Sequence, residues 1–228
     1  MDMPIAIITT CIASIVSVIG WLVVNCQGRK MRKEEAQRDI YKRLFEMTLR
    51  ISNELTDFYL EIDNRSGELR RLFIESNANS GDKKKIVDKW YEIVTKMVSD
   101  TFHKSASIGN YMKFLEMGGA NIGGDTMIYQ GLKSVSIDTN KSLYNITGRW
   151  INYVNFTSMN ENQLNNLTTE TKKESECIME FCGCLDDILI YLYNSYMAAP
   201  LKLKQRKLDY SQNRRYLTKN GIIDKRIQ

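Results

Sequence analysis

The sequence predicts an all-α protein in which a single N-terminal transmembrane helix continues into a cytosolic bundle of four long helices. The chain of 228 residues contains only two prolines, Pro4 and Pro200. Proline breaks helix interiors because it lacks an N–H donor and clashes with the preceding turn. Between the two prolines, apolar residues recur at steps of three and four, and strand-type alternation never persists. Both observations favour long helices.

The first element is the apolar stretch Pro4–Val24, which lies within a segment from Met3 to Gly28 that has no charged side chain. At about 1.5 Å per residue it could cross a hydrocarbon core of about 30 Å, so it predicts a membrane span. A cleaved signal peptide is the alternative. It would need a basic start, whereas this chain begins Met1-Asp2.

Small residues form one stripe of this predicted span, at steps of four and three. Such stripes let helices approach closely in lipid, which predicts self-association or pairing with another membrane subunit. The alternative is that small residues are simply common in membrane helices. The stripe consists of Ala6, Thr10, Ala13, Ser17 and Gly20.

Basic residues follow the span directly and return near the C-terminus, around a mildly acidic body. By the positive-inside rule the first group remains in the cytoplasm. The predicted localisation is therefore the inner (plasma) membrane, with one span, the N-terminus outside and the C-terminus cytoplasmic. Both groups are expected at the membrane surface: Arg29, Lys30, Arg32, Lys33, Lys202, Lys204, Arg206 and Lys207.

Four apolar runs with helical spacing follow the span. The first extends from Ile40 to Leu72, with Arg65 in one apolar position, and turn-forming residues at 77–82 end it. The second extends from Ile86 to Leu115. Short connections between long helices predict an up-down-up-down bundle with coiled-coil-like packing.

The second run ends at a glycine-rich loop, 118–125, that we interpret as a hinge or contact loop. A phosphate-binding loop is the alternative, but such loops follow a strand and carry a lysine. The glycines are Gly118, Gly119, Gly123 and Gly124.

The third run extends from Ile128 to Tyr153, and the fourth from Leu164 to Leu192. Between them, Ser158 and Glu161 resemble a capping box. The domain prediction is an anchor at 1–28, a bundle at 29–199 and a basic tail at 200–228.

Residues for catalysis or metal binding are sparse. The single histidine, His103, excludes di-iron bundles that need paired Glu-x-x-His motifs. Cys177, Cys182 and Cys184 match no CxxC pattern, so they are interpreted as buried structural residues, with a regulatory thiol as the alternative. Asp186-Asp187, with Glu176 and Glu180, forms an acidic patch on the fourth helix, which is interpreted as a solvated face. No metal and no cofactor is predicted.

The predicted function is therefore a membrane-anchored, non-enzymatic interaction protein. Its expected partners are membrane lipids and a second copy of the chain or another membrane or cytosolic subunit; nucleic acid is not expected. The layout is similar to that of small bacterial membrane proteins, which include components of anti-phage and toxin systems, and an oligomerising effector is one version. The alternative is a membrane-tethered enzyme or ligand sensor that uses the loop 118–125 or the acidic patch on the fourth helix.

Overall fold

The computed structural model describes residues 3–78, 82–117, 126–154, 159–198, 203, 204 and 206. Inside the helices, the side chains of residues 3–16, 18, 19, 117, 126–128 and 195–197 lie outside this description. All secondary structure in the described ranges is helical, which confirms the predicted fold class at this level. The helices are α1 (Met3–Asn77), α2 (Lys83–Met117), α3 (Thr126–Asn152) and α4 (Glu161–Leu192), and a π-helical segment, Tyr193–Ala198, follows α4.

The chain divides into two units, residues 1–43 and 44–228, and α1 contributes to both. In the first unit, the basic residues after the apolar stretch are exposed on α1. One of them, Arg32, donates its Nε–H to the carbonyl of Gly28 at 3.3 Å. The second unit contains the bundle.

The predicted transmembrane helix is not supported. Across the part of the chain that the structure describes, no helix is both long enough and apolar enough to pass through a lipid bilayer. This finding contradicts the predicted span over Pro4–Val24 and corrects the localisation as a single-pass inner-membrane protein.

Side-chain contacts in the second unit show that neighbouring helices are antiparallel. Between α1 and α2, Lys104 lies 3.6 Å from Glu54, and Lys89 lies 2.9 Å from Glu68 further along α1. The same inverse order holds between α2 and α3, and between α3 and α4. α4 also contacts α1, where Arg70 donates to Thr168 at 2.7 Å. The helices therefore form the predicted up-down-up-down bundle.

The core of the bundle combines large apolar side chains with hydroxyl groups. Trp90 and Trp150 are completely buried, and each indole N–H has an acceptor: the carbonyl of Tyr153 at 3.0 Å and Thr171 Oγ1 at 2.9 Å, respectively. Buried donors that lose water are costly unless they find such partners. Most of the other buried hydroxyls donate to a carbonyl of their own helix; they include Thr48, Thr101, Ser136, Thr139, Thr168 and Ser175.

Arg65 of α1 is the basic residue that the sequence placed in an apolar position, and it is indeed buried, with 5% of its surface exposed. Its guanidinium pairs with Glu61 on the same helix and with Asp100 on α2. It also contacts the sulfur of Met97 at 3.5 Å. Lys96 lies 3.7 Å from the Glu61 carboxylate. This cluster joins α1 to α2 in one register.

The predicted helix ends agree closely with those observed, with one correction at α4. The capping box there is formed by Asn160 and Gln163: the side-chain oxygen of each accepts the backbone N–H of the other at 2.9 Å. Glu161 is already the first residue of α4, and Ser158 lies outside the described residues. The predicted pair was therefore wrong, because the extended backbone that caps the helix occurs at Asn160.

The chain after α4 returns to its own last turn. Asn194 accepts the backbone N–H of Arg206 at 2.8 Å and donates to the Arg206 carbonyl at 2.7 Å. The Arg206 guanidinium lies over the ring of Tyr193, 5.4 Å from its centroid. Of the other basic residues predicted at a membrane surface in this tail, Lys204 is exposed, whereas Lys202 and Lys207 lie outside the described residues.

Replacing Arg65 tests whether its cluster holds α1 against α2. Arg65→Ala should lower the free energy of unfolding by about 2–4 kcal/mol, because it leaves Glu61 and Asp100 without their shared cation and removes a packed side chain. Arg65→Met keeps the packing and should recover part of the loss. Denaturant titration measures both values.

The matched control is Arg50→Ala, since the Arg50 side chain is 73% exposed and lies 3.7 Å from Glu54 on the same helix. Its loss should stay below about 1 kcal/mol. Equal losses at the two arginines would show that the Arg65 cluster contributes no more than a surface ion pair.

The buried bond between Thr48 and Tyr111 gives an asymmetric prediction. Thr48 already donates to the carbonyl of Leu44 at 2.7 Å, so its oxygen accepts the Tyr111 hydroxyl at 2.9 Å. Tyr111→Phe should cost about 1 kcal/mol, and Thr48→Val should cost up to about 3 kcal/mol, because only the second change leaves a buried donor without its acceptor. Thermal unfolding of both variants compares these costs, and a larger loss for Tyr111→Phe would contradict the assignment.

Candidate interaction surface

Large apolar side chains on the outside of α3 recur at steps of seven residues. Ile137, Tyr144 and Ile151 are 60%, 78% and 51% exposed, respectively. Residues seven apart lie on the same face of a helix, two turns from each other. The inward face of α3 is occupied by a different set of apolar residues, which includes Leu143 and Ile146. α3 therefore has two apolar stripes, and one of them is not covered by the bundle.

α2 carries a second uncovered stripe. Phe102 is 71% exposed, Tyr91 is 56% exposed and Val87 is 39% exposed, although none of them contributes to the core. Val98, partly exposed, lies between Tyr91 and Phe102 on the same side of the helix. The steps of four, seven and four residues keep these side chains in one line.

The two stripes border the same α2–α3 contact. Ser105 donates to Asn140 at 2.8 Å, and Glu116 lies 3.8 Å from Lys133. Because the helices are antiparallel, the first contact places Phe102 and Tyr144 at the same level. Together the exposed apolar residues form one surface, here called the α2–α3 face: Val87, Tyr91, Val98, Phe102, Ile137, Tyr144 and Ile151.

The line of apolar residues on α2 contains no charged residue between Asp88 and Lys113; Thr95, Ala106 and Gly109 adjoin it. Exposed charged residues border the face, with Glu92 and Lys96 on the next side of α2 and Lys141 on α3. Contiguous exposed apolar surface of this kind is rare on monomeric proteins and marks interaction sites. Aromatic residues with few charges around them are also typical of the centre of protein interfaces.

Two helix glycines lie at this face, Gly109 on α2 and Gly148 on α3. A Cβ at either position would meet no atom within 4 Å, so nothing in the described chain requires a glycine there. In a helix interior, glycine is less favourable than alanine by about 0.8–1 kcal/mol. Both positions are therefore gaps at which another backbone or a large side chain can approach closely.

The residues predicted to bind or act from sequence do not form one site. In the predicted association stripe, Ser17 and Gly20 are exposed, and the side chains of Ala6, Thr10 and Ala13 lie outside the described part. Gly118, Gly119, Gly123 and Gly124 also lie outside it. His103 is exposed on α2. The described residues contain no group of three or more His, Cys, Asp or Glu side chains that could hold a metal ion.

The acidic patch of α4 is only in part the solvated face that the sequence predicted: Glu176 and Asp186 are exposed, and Glu180 is half-buried. Asp187 is buried, with 3% of its surface exposed, and it has a bonding partner. Burial, and then the neighbouring Asp187, raise the pKa of the Asp186 carboxyl above its usual range. The solvated-face prediction is therefore wrong for Asp187.

The cysteines of α4 are free thiols and lie in the bundle as predicted, Cys182 and Cys184 being buried and Cys177 half-buried. Cys182 Sγ lies 3.8 Å from Thr56 Oγ1 and 3.8 Å from the Ser52 carbonyl. Burial raises the pKa of the Cys182 thiol, and burial together with Asp187 raises the pKa of Cys184 to about 12. Since the thiolate is the reactive form, these two residues are better suited to packing in the core than to acting as reactive thiols.

Alkylation tests this interpretation. At pH 8, iodoacetamide should modify the exposed Cys26 in the folded protein. Cys182 and Cys184 should react only in denaturant, because their raised pKa values keep the thiolate fraction small and the bundle excludes the reagent. Peptide mass mapping before and after denaturation reads out each site. Rapid modification of Cys184 in the folded chain would favour the regulatory thiol instead.

No protein-family model, curated protein or solved structure matches this chain. The assignment of the α2–α3 face as a candidate interaction surface therefore depends on its geometry and chemistry.

Proposed function

We propose that this chain is a non-enzymatic helical interaction protein and that the α2–α3 face is the surface with which it binds a helical partner. The observation that carries the proposal is the row of exposed apolar residues at helical spacing on two adjacent helices. A groove between two antiparallel helices, bordered by such rows, accepts the apolar face of a third helix.

The size of the exposed side chains favours a binding surface over an apolar patch that binds nothing. Phe102 and Tyr144 lie at the same level and are the most exposed large apolar residues described in the bundle. Covering an aromatic side chain of this kind contributes about 1.5–3 kcal/mol. Interfaces commonly depend on a few such anchors near their centre. Two anchors with apolar flanks would supply a substantial part of a specific affinity.

Cross-linking from the centre of the face tests the proposal. A photoreactive benzoylphenylalanine at position 102 should give a discrete adduct in cells that express the full chain. Tyr144→Glu should abolish that adduct, because it places a charge beside position 102 on the neighbouring helix. The change is exposed, so it should alter folding stability by no more than about 0.5 kcal/mol.

Ile74 provides the matched control, since it is 67% exposed but lies on α1, away from the face. The photoreactive residue at position 74 should give no adduct of the same mass, and Ile74→Glu should leave the adduct from position 102 unchanged. Absence of any adduct from position 102, or equal adducts from positions 74 and 102, would contradict the proposal.

A further inference from the structure

We infer that the partner at the α2–α3 face is a second copy of this chain, bound through antiparallel contact of α2 with α2 across a two-fold axis near the level of Asp100. The inference rests on the proposed function and specifies the partner. It is based on the exposed stripe of α2: when two copies of α2 run antiparallel, the stripe of one copy is complementary to the stripe of the other in shape and in charge.

Side-chain sizes match between two antiparallel copies of α2. In an antiparallel pair of identical helices with its axis at residue 100, each residue faces the one whose number makes the sum 200. Tyr91, a large exposed side chain, then faces Gly109, a position at which an added Cβ meets nothing within 4 Å. Val98 faces Phe102. Large side chains therefore meet a gap or an apolar side chain, not each other.

Charges at the two ends of the same stripe have opposite signs. Asp88 and Lys113 border the uncharged line of residues, and their numbers sum to 201. Each therefore lies one residue, about 1.5 Å along the helix axis, from the position directly opposite the other in the second copy, which is close enough for a salt bridge. Both are exposed, and within the described chain neither has an ion-pair partner. One turn further out, Lys84 lies opposite Glu116, which also accepts the hydroxyl of Tyr129 and lies near Lys133.

A two-fold interface requires this kind of self-complementarity, because the same patch is used on both copies. A partner of unrelated sequence would not require opposite charges at equal distances from one point of α2. The exposed stripe of α3 borders the contact and widens it, since Tyr144 lies beside Phe102 at its centre.

Charge exchange in the full-length protein tests the inference by analytical ultracentrifugation. The wild-type chain should form a dimer that Phe102→Glu dissociates and Ile74→Glu leaves intact. Asp88→Lys alone should place two lysines against each other at both ends, and Lys113→Asp alone should place two aspartates there. Each single change should raise the dimer dissociation constant about tenfold.

Mixing the two variants gives the decisive measurement. In a dimer of the Asp88→Lys chain with the Lys113→Asp chain, opposite charges meet at both ends, so the mixed dimer should regain the wild-type dissociation constant. The double variant Asp88→Lys/Lys113→Asp should regain it as well. Both changes lie on the surface, and circular dichroism checks that each variant is folded.

Three outcomes would overturn the inference. The wild-type chain could remain monomeric at all concentrations, the charge changes could leave its dimer unaffected, or mixing could fail to restore it. If the chain is monomeric while the adduct from position 102 contains a different protein, the second-copy inference fails and the proposed function stands. If position 102 gives no adduct and the chain dimerises independently of Phe102, both fail.

Discussion

The arrangement of the bundle depends on how one buried cation is neutralised. A guanidinium out of water is tolerated only where carboxylates and further contacts compensate its lost hydration. Arg65 satisfies that requirement with one carboxylate from its own helix and one from α2. A shift of α2 by one turn along α1 would move Asp100 away from the guanidinium and leave Glu61 of its own helix as the remaining carboxylate partner. Apolar contacts alone would accept such a shift more readily, since most apolar residues are interchangeable at similar volume.

The same principle governs the hydroxyl-rich core. Threonine and serine occupy many inward positions, and most of them bond to a carbonyl one turn earlier in their own helix. Such groups add little packing energy, but they cost little once bonded. A few also reach across: Thr139 donates to the carbonyl of Cys177 on α4 as well as to its own helix. These bonds help to specify which helices are neighbours. Most of the stability that comes from burying apolar surface is contributed by the tryptophans and leucines.

Helix positions followed from sequence because breaks and periods are local properties. The turn residues 77–82 and the fourth apolar run predicted the end of α1 and the extent of α4 to within a few residues. The Arg65 position was visible as an interruption in an apolar run, but its acceptor Asp100 was not, because pairing between helices is not encoded in the period of either one. The capping residue at α4 was misplaced for a similar reason, since several polar residues in a row could each begin the helix.

The α2–α3 face was beyond prediction for a physical reason. Phe102 and Tyr144 lie on helices whose core stripes already satisfy the apolar pattern, and a period of three and four describes an inner and an outer stripe equally well. Only the packing of neighbours shows which stripe is covered. The prediction of the membrane span was wrong for a different reason. It came from the composition of the N-terminal segment, and the described part of the chain contains no helix that is long and apolar enough to cross a bilayer.

The two hydrogen bonds between the Asn194 side chain and the Arg206 backbone affect which substitutions the C-terminal region can accept. Both bonds use main-chain atoms at position 206, so nineteen side-chain types are compatible with them, and proline alone is excluded for want of an N–H. At position 194 the situation is reversed. A donor and an acceptor are needed on one short side chain; an ionised aspartate lacks the donor, and leucine lacks both. Position 206 should therefore tolerate many different residues, whereas position 194 should tolerate few.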